Sequence, residues 1–482
     1  MITGRRTKIV ATLGPASQTA EILDRMLAAG VDVVRLNFSH GTPQEHLRRL
    51  ETARHAADAR GVSLAVLQDL PGPKLRVGPL PGGSLVLEEG KEAVLTSWDA
   101  AGGSEVAPPG AGTLVPVAYR HLTDDLRAGD RIYLQDGELA LAVRRVAPPY
   151  VWCTVESGGR LRQGAGMNIP GVGLSVSAVT DEDLRCLEWG IAHDVDYVGL
   201  SFVESAGDVE RLRRAAADRG GACRVVAKIE RRGAVDRIEE IAAAADAVMV
   251  ARGDLAVETS IEEVPLVQKH IVGLCNRLGK PVITATQMLE SMVERPRPTR
   301  AEATDVANAV FDGTDALMLS GETAIGAHPV AAVATMSAIA TRAEAALPYE
   351  LLLSQASRAR TEDPGEAIAL AACEAAEAIG AAAIVAATDS GSTARRVSRL
   401  RPRRHIVAVT HTRSTWRALS LVWGVRPVLV EPQDEIDGLV SRGVRAAVEL
   451  GVARPGDRVV VTAGVPIGRP GTTNMLRVIR VQ

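Results

Sequence analysis

Short apolar runs, each followed by a longer stretch of helical periodicity, recur in two separated regions of the chain. Positions 7–13, 33–38 and 63–70 form the first group; 197–202, 224–230, 247–254, 281–288 and 316–322 form the second. Runs this short and this rich in β-branched residues read as buried strands, and the intervening periodicity reads as helices. Eight such units predict an α/β chain whose parallel strands close into a (β/α)8 barrel. An open, doubly wound sheet would give the same periodicity. Polar residues favour the barrel, because they gather where nearly every run ends: Arg35, Asn37 and Ser39, then Asp69, Ser201, Lys228 with Glu230, Asp254, Thr286 with Gln287, and Ser320 with Glu322. A closed barrel brings such ends together at its carboxyl face.

The pattern changes between 71 and 171. This interval holds ten of the chain's 25 prolines, and its alternating runs at 84–87, 131–134, 139–143 and 151–155 are separated by Gly and Pro. It predicts a small all-β domain inserted in a βα loop, placed to close over the site and exclude water. From 347 onward the pattern becomes a separate α/β unit. A polar linker at 354–364 leads to a helix at 365–379 and strands at 381–388, 405–410, 425–430, 458–464 and 475–481. The expected division is therefore 1–70 and 172–346 for the barrel, 71–171 for the β lid and 347–482 for the carboxyl-terminal domain.

Composition excludes more than it specifies. With 46% hydrophobic residues, 23% charged and a net charge of -3, the chain is ordinary and globular, without the basic excess that suits nucleic acid or an anionic membrane. No apolar run reaches the length of a membrane span, and the first residues lack the apolar core of a signal peptide. Five cysteines stand far apart with no Cys-x-x-Cys, which argues against a zinc site or a disulfide framework and suits the cytoplasm. One bias sharpens the rest. Only six of the 55 basic residues are lysine, Lys74 and Lys228 among them, so a position that keeps one has reason to need it.

The run at 224–230 ends in Lys228 and Glu230, which alternation puts on one side of a strand. Alone, the pair would read as a solvated ion pair. In its setting, Lys228 can neutralise charge developing on a phosphoryl or enolate oxygen, and Glu230 can share a divalent metal with Asp254 of the next strand. Gly253 lets a backbone N–H approach an anionic substrate closely. Thr286 can donate to a carboxylate or pass a proton. Arg35, Asn37 and Ser39 alternate, so all three are expected on one side of the second strand, with Arg35 as a phosphate fork. Thr299 and Glu302 have capping-box spacing, which explains both locally. Farther on, Thr388, Ser390, Gly391, Ser392 and Thr393 follow a strand and precede an expected helix at 394–400. Hydroxyls and N–H groups there suit a phosphate, with a simple helix cap as the alternative.

Several of these stretches together resemble the pyruvate kinases: 7–17, 35–41, 227–230, 251–255, 286–292, 298–308 and 318–323. The resemblance covers nearly the whole chain. It implies a barrel, a mobile β lid, a carboxyl-terminal regulatory domain and a homotetramer, with phosphoryl transfer from phosphoenolpyruvate to ADP giving pyruvate and ATP. It also implies roles. Lys228 corresponds to the lysine that stabilises the transferring group and the enolate, and Glu230 and Asp254 to the ligands of Mg2+ or Mn2+. Thr286 corresponds to the threonine of carboxylate binding and enolate protonation, with Ser320 and Glu322 as its supporting relay. Arg35 and Arg76 correspond to the phosphate clamps, and the loop from Thr388 to Thr393 to the site of a phosphorylated effector.

The chain departs from the family pattern in three places. Ala256 replaces a glycine near the metal position, and the lid stretch from Gln163 to Pro170 lacks a lysine before Asn168-Ile-Pro, where the family contacts nucleotide. The third departure concerns K+. Asn37, Ser39, Asp69 and the carbonyl of Leu70 match the family's monovalent-cation ligands, but Lys74 stands where K+-requiring members carry a glutamate. An ammonium can supply much of the charge that K+ supplies, and would repel it. The reading predicts an enzyme that does not require K+. Two rivals stay open: an enolate-forming, metal-dependent barrel lyase or aldolase, and a catalytically silent phosphoenolpyruvate sensor.

Overall fold

The computed structural model describes residues 4–98, 112–135, 137–358, 361–433, 435–466 and 472–482. Eight strands close a parallel barrel: β1 (Lys8–Thr12), β2 (Val33–Asn37), β3 (Ala65–Asp69), β4 (Tyr197–Leu200), β5 (Val225–Ile229), β6 (Ala247–Ala251), β7 (Val282–Ala285) and β8 (Ala316–Leu319). β1 completes the ring by pairing with β8, Lys8 opposite Ala316. A strand bonded on both edges and covered on both faces is mostly apolar, and β1, β3, β5 and β6 are buried at every position, with polar residues confined to their ends.

Alternation sorts each strand into two cores. Val10, Val33, Leu67, Val226, Met249, Ile283 and Met318 fill the barrel. Their neighbours Ile9, Val34, Val66, Val225, Ala227 and Val248 pack outward against the helices. Each fully buried Val, Leu, Ile or Met contributes about 1.5–3 kcal/mol, so a register slip that exchanged the two faces would cost many times that. The same parity puts the next inward positions at Thr12, Arg35, Asp69 and Lys228, where apolar filling gives way to polar groups at the mouth. The other end is plugged from outside the barrel. Ala418 and Leu421 of the carboxyl-terminal domain join the interior cluster, and Tyr197 Oη donates to the Ala418 carbonyl at 2.9 Å.

Every barrel strand is shorter than the sequence predicts, and at three of them the early end moves site residues out of the strand. β6 ends at Ala251, and Arg252–Glu258 is helical, so Asp254 lies on a helix rather than in the strand. β7 ends at Ala285, because Thr286 and Gln287 take positive φ of 67° and 53°, outside the strand region. β8 gives way to the short helix Gly321–Ala324. In each case the ladder stops where polar residues begin, Arg252, Thr286 and Ser320, and those residues turn into a helix or a loop that periodicity does not register.

The insertion forms a six-stranded sheet and a separate pair of strands. Glu92–Ser97, Thr113–Val117 and Gly159–Arg162 are strands that the sequence reading missed. Thr113–Val117 contains Pro116, and it lies at the sheet edge where a proline is tolerated. The chain enters and leaves the lid side by side: Met167 N donates to Leu75 O at 2.9 Å and Val77 N to Ala165 O at 2.8 Å. Gly72 sits at the entry with φ +66°, and a Cβ there would come within 2.8 Å of Ser201 Cβ. Only glycine fits that approach.

The carboxyl-terminal domain is a five-stranded sheet in the order Val425–Leu429, His405–Thr410, Ala383–Ala387, Arg458–Gly464, Thr473–Arg480, the last antiparallel. It docks through Arg417, paired with Asp196 at 2.7 Å, and Arg401, paired with Asp315 at 3.1 Å. The polar linker expected at 354–364 is partly helix, since Tyr349–Ser357 is helical; positions 359–360 lie outside the described residues. Among the described residues no single helix is long and apolar enough to cross a membrane.

Candidate active site

The polar inward positions form one connected network. Arg35 Nε donates to Asp69 Oδ2 at 2.6 Å, and its Nη1 donates to Thr12 Oγ1 at 3.0 Å. The other oxygen of Asp69 lies 3.2 Å from Lys228 Nζ, which in turn sits 2.9 Å from Glu230 Oε1 and donates to Ser201 Oγ at 2.7 Å. Glu230 Oε2 accepts from the Phe202 amide at 2.7 Å, and Ser201 Oγ donates to the Leu70 carbonyl at 2.9 Å. Gly199 makes room for this cluster, since a Cβ there would stand 3.1 Å from Asp69 Oδ1.

Burial and charge oppose each other in the network. Burial alone would raise the Asp69 carboxyl, but Lys228 and Arg35 outweigh it and hold the group below its ordinary value. Burial disfavours the Lys228 ammonium, yet Asp69 and Glu230 lift it above the usual lysine range, so it stays charged. Glu230 goes the other way. Burial pushes its carboxyl up, Lys228 pulls it down, and the charge of Asp254 pushes it up again. The site thus holds a fixed cation beside a pair of carboxylates that repel each other.

Thr286 is the strained member of the site. A β-branched residue at φ 67° costs about 1–3 kcal/mol, and surrounding structure must hold it there. Three elements do so. Thr286 Oγ1 accepts from the Gly253 amide at 3.0 Å. Arg252 Nη2 donates to the Thr286 carbonyl at 2.7 Å and its Nε to the Ala285 carbonyl at 3.2 Å, while Asp305 anchors Arg252 Nη1 at 2.8 Å. Glu322, fully buried, accepts from the Leu289 amide at 3.0 Å and the Ser320 amide at 2.7 Å, joining the end of β8 to this loop. Ser320 Oγ is buried with no hydrogen-bond partner among the described residues.

Other expected residues lie apart from the network. Ser39 is not on the second strand: β2 ends at Asn37, and Ser39 occupies a turn in which its amide donates to Asn37 Oδ1 at 3.2 Å. An asparagine that bonds its own following backbone ends a strand, which is why the alternation stops there. Arg76 reaches the lid, donating from Nη1 to the Gly164 carbonyl at 3.1 Å. Lys74 is half-buried after the hinge glycine. Burial, then the charges of Arg76, Lys74 and Arg35, depress the His40 imidazole, which marks a positive field at this side of the mouth. The lid also meets the barrel where the Asn168 side chain bonds Glu258.

In the carboxyl-terminal loop, Gly391 N donates to Thr388 Oγ1 at 2.9 Å, and Thr393 is buried with its hydroxyl 2.8 Å from that of Thr473. Ser390 and Ser392 bond each other at 3.2 Å. The helix there runs Ser392–Ser398, two residues earlier than expected.

The sequence reading missed Thr12 and Arg252. Thr12 had a usable signal, since it is the next inward position after Val10. Arg252 had none, because its role depends on a loop 33 or more positions away.

Comparison with known proteins bears on this site. Residues 4–333 match the family described as pyruvate kinase, barrel domain, and residues 366–479 match pyruvate kinase, alpha/beta domain. The pyruvate kinases of Staphylococcus aureus (strain MRSA252) and Staphylococcus epidermidis are each 43% identical to the chain over 476 residues, covering 98% of it and 80% of the relative.

Proposed function

Because the chain belongs to the pyruvate kinase family, we propose that it transfers a phosphoryl group from phosphoenolpyruvate to ADP, giving pyruvate and ATP, with the Lys228 network as its catalytic centre. The observation that carries this reading is the unbroken chain Arg35–Asp69–Lys228–Glu230 in the barrel mouth. Phosphoryl transfer asks for positioning and charge stabilisation, and this network supplies fixed charge without reorganisation. Arg35 and Arg76 bind phosphate oxygens. Lys228, kept charged by two carboxylates, stabilises the transferring group and then the enolate oxygen. Gly253 N and Thr286 bind the substrate carboxylate, and Thr286 delivers the proton that turns enolate into pyruvate, with Ser320 and Glu322 behind it.

Glu230 and Asp254 fit a divalent ion. They are hard oxygen donors, and the charge of Asp254 helps push the Glu230 carboxyl up. Two carboxylates suit Mg2+ or Mn2+, which leave positions for water and substrate oxygens. Such an ion, when bound, supplies neutralisation of the phosphoryl oxygens.

Asn37, Ser39, Asp69 and the Leu70 carbonyl are the monovalent-site positions, and we assign the charge that K+ would bring there to Lys74. The positive field at His40 supports this, since K+ would enter beside Arg35, Lys74 and Arg76. We also assign 1–70 and 172–346 to the barrel, 71–171 to the lid and 347–482 to a regulatory domain, a homotetrameric assembly, and an effector phosphate at Thr388, Ser390, Gly391, Ser392 and Thr393. Pyruvate formation with phosphoenolpyruvate, ADP and Mg2+ tests the central reading. A barrel lyase would release no ATP, and a silent sensor would bind phosphoenolpyruvate without turnover.

A further inference from the structure

The amino end of the barrel and the carboxyl-terminal domain enclose a second polar cleft of about 410 Å3. Arg224 precedes β5 and Lys280 precedes β7, so both lie at the barrel end opposite Lys228. Arg395 faces them from the helix Ser392–Ser398. Five cations and three carboxylates line the cleft. Every carboxylate already has a cation of its own: Asp246 pairs with Arg213 at 2.9 Å, Asp363 with Arg396 at 2.6 Å and Glu366 with Arg399 at 2.5 Å.

Three cations are left over. Among the described residues none of Arg224, Lys280 and Arg395 has a carboxylate within ion-pair distance. Lys280 Nζ donates to the carbonyls of Ala243 and Ala245 at 3.0 and 2.6 Å, and Arg395 Nη1 to the Ser390 carbonyl at 3.2 Å. Their charges act on one another. Burial pulls both Arg395 and Lys280 below their ordinary values; Asp246 opposes this at each, while Arg224 and Arg396 add to it at Arg395 and Arg395 adds to it at Lys280. Three half-buried cations that share the field of one carboxylate, itself paired with Arg213, are costly, and proteins ordinarily pair them.

We propose that this cleft binds a small phosphomonoester, whose dianionic phosphate completes the Arg224, Lys280 and Arg395 cluster and ties the carboxyl-terminal domain to the barrel. Guanidinium forks match phosphate oxygens, and three positive charges call for a dianion rather than a single carboxylate. The volume lies in the range of small-molecule sites, about 300–1,000 Å3. The cleft shares Ser390 and Ser392 with the hydroxyl loop, so the proposal rests on that effector reading and adds to it the barrel cations Arg224 and Lys280, which the Lys280→Gln variant tests separately.

Calorimetric titration of the full chain with inorganic phosphate, without divalent metal and at ionic strength matched with chloride, tests it. Saturable binding is expected in the parent and in Arg35→Gln, which removes phosphate binding at the catalytic mouth. Arg395→Gln and Lys280→Gln should each weaken that binding by about tenfold or more. Without phosphate, Arg395→Gln should melt no lower than the parent, because it relieves repulsion. The proposal is overturned by undiminished phosphate affinity in both cleft variants, by binding lost only in Arg35→Gln, by the absence of saturable binding, or by a lowered Tm for phosphate-free Arg395→Gln.

Discussion

At the scale of single residues, the site keeps groups that folding alone would not choose. Thr286 is the plainest case, a β-branched side chain held at φ 67°. Glycine adopts that conformation without strain, at the cost of greater unfolded-state entropy of about 0.5–1 kcal/mol. Thr286→Gly is therefore expected to leave stability to urea unchanged or slightly raised, while turnover falls at least about tenfold through loss of the hydroxyl. Urea titration beside a pyruvate assay checks both halves. A destabilised variant with parental turnover would show that Thr286 serves the fold rather than the reaction. Lys228, Asp69 and Arg35 follow the same logic: buried charges that are tolerated because each neutralises the next.

At the scale of elements, the site depends on where strands stop. The helix Arg252–Glu258 begins directly after β6, and its first residue clamps the loop after β7 through two carbonyls. A planar fork makes both bonds at once, and an ammonium cannot reproduce that geometry. Arg252→Lys should lower turnover by about tenfold and speed amide hydrogen exchange at Thr286 and Gln287. Unchanged exchange would remove Arg252 from this positioning role. The same element boundaries limit what the sequence discloses. Short apolar runs made the eight barrel strands legible, because a doubly buried strand is mostly apolar, and alternation gave the shared side of Lys228 and Glu230. The pattern ran past the ends of β6, β7 and β8, because the polar residues there, Asp254, Thr286 and Ser320, belong to the following helix or loop while still facing the barrel mouth. Ser39 was misplaced for a related reason: a turn closed by Asn37 looks like two more strand positions. Arg252 was illegible because nothing local marks a contact to another loop.

At the scale of the whole molecule, the inserted lid and the carboxyl-terminal domain sit at opposite ends of the barrel. The lid enters beside Lys74, and the carboxyl-terminal domain plugs the interior with Ala418 and Leu421. Replacing Lys74 by an acid reverses the charge at the lid hinge. Lys74→Glu is expected to need K+ for full turnover while the parent does not, in assays at matched ionic strength in K+-free buffer. Strong K+ stimulation of the parent would refute that assignment.

The most direct test of the account concerns Lys228. Pyruvate formation from phosphoenolpyruvate, ADP and Mg2+ should be measured for the parent, Lys228→Ala and Lys228→Arg, with folding followed by circular dichroism. Lys228→Arg keeps a charge between Asp69 and Glu230 and serves as the folded control. The account predicts a parent that turns over only when all three components are present, and a loss of about a hundredfold or more in both variants. A folded variant that forms pyruvate at nearly the parental rate, or a parent that forms none, would contradict it.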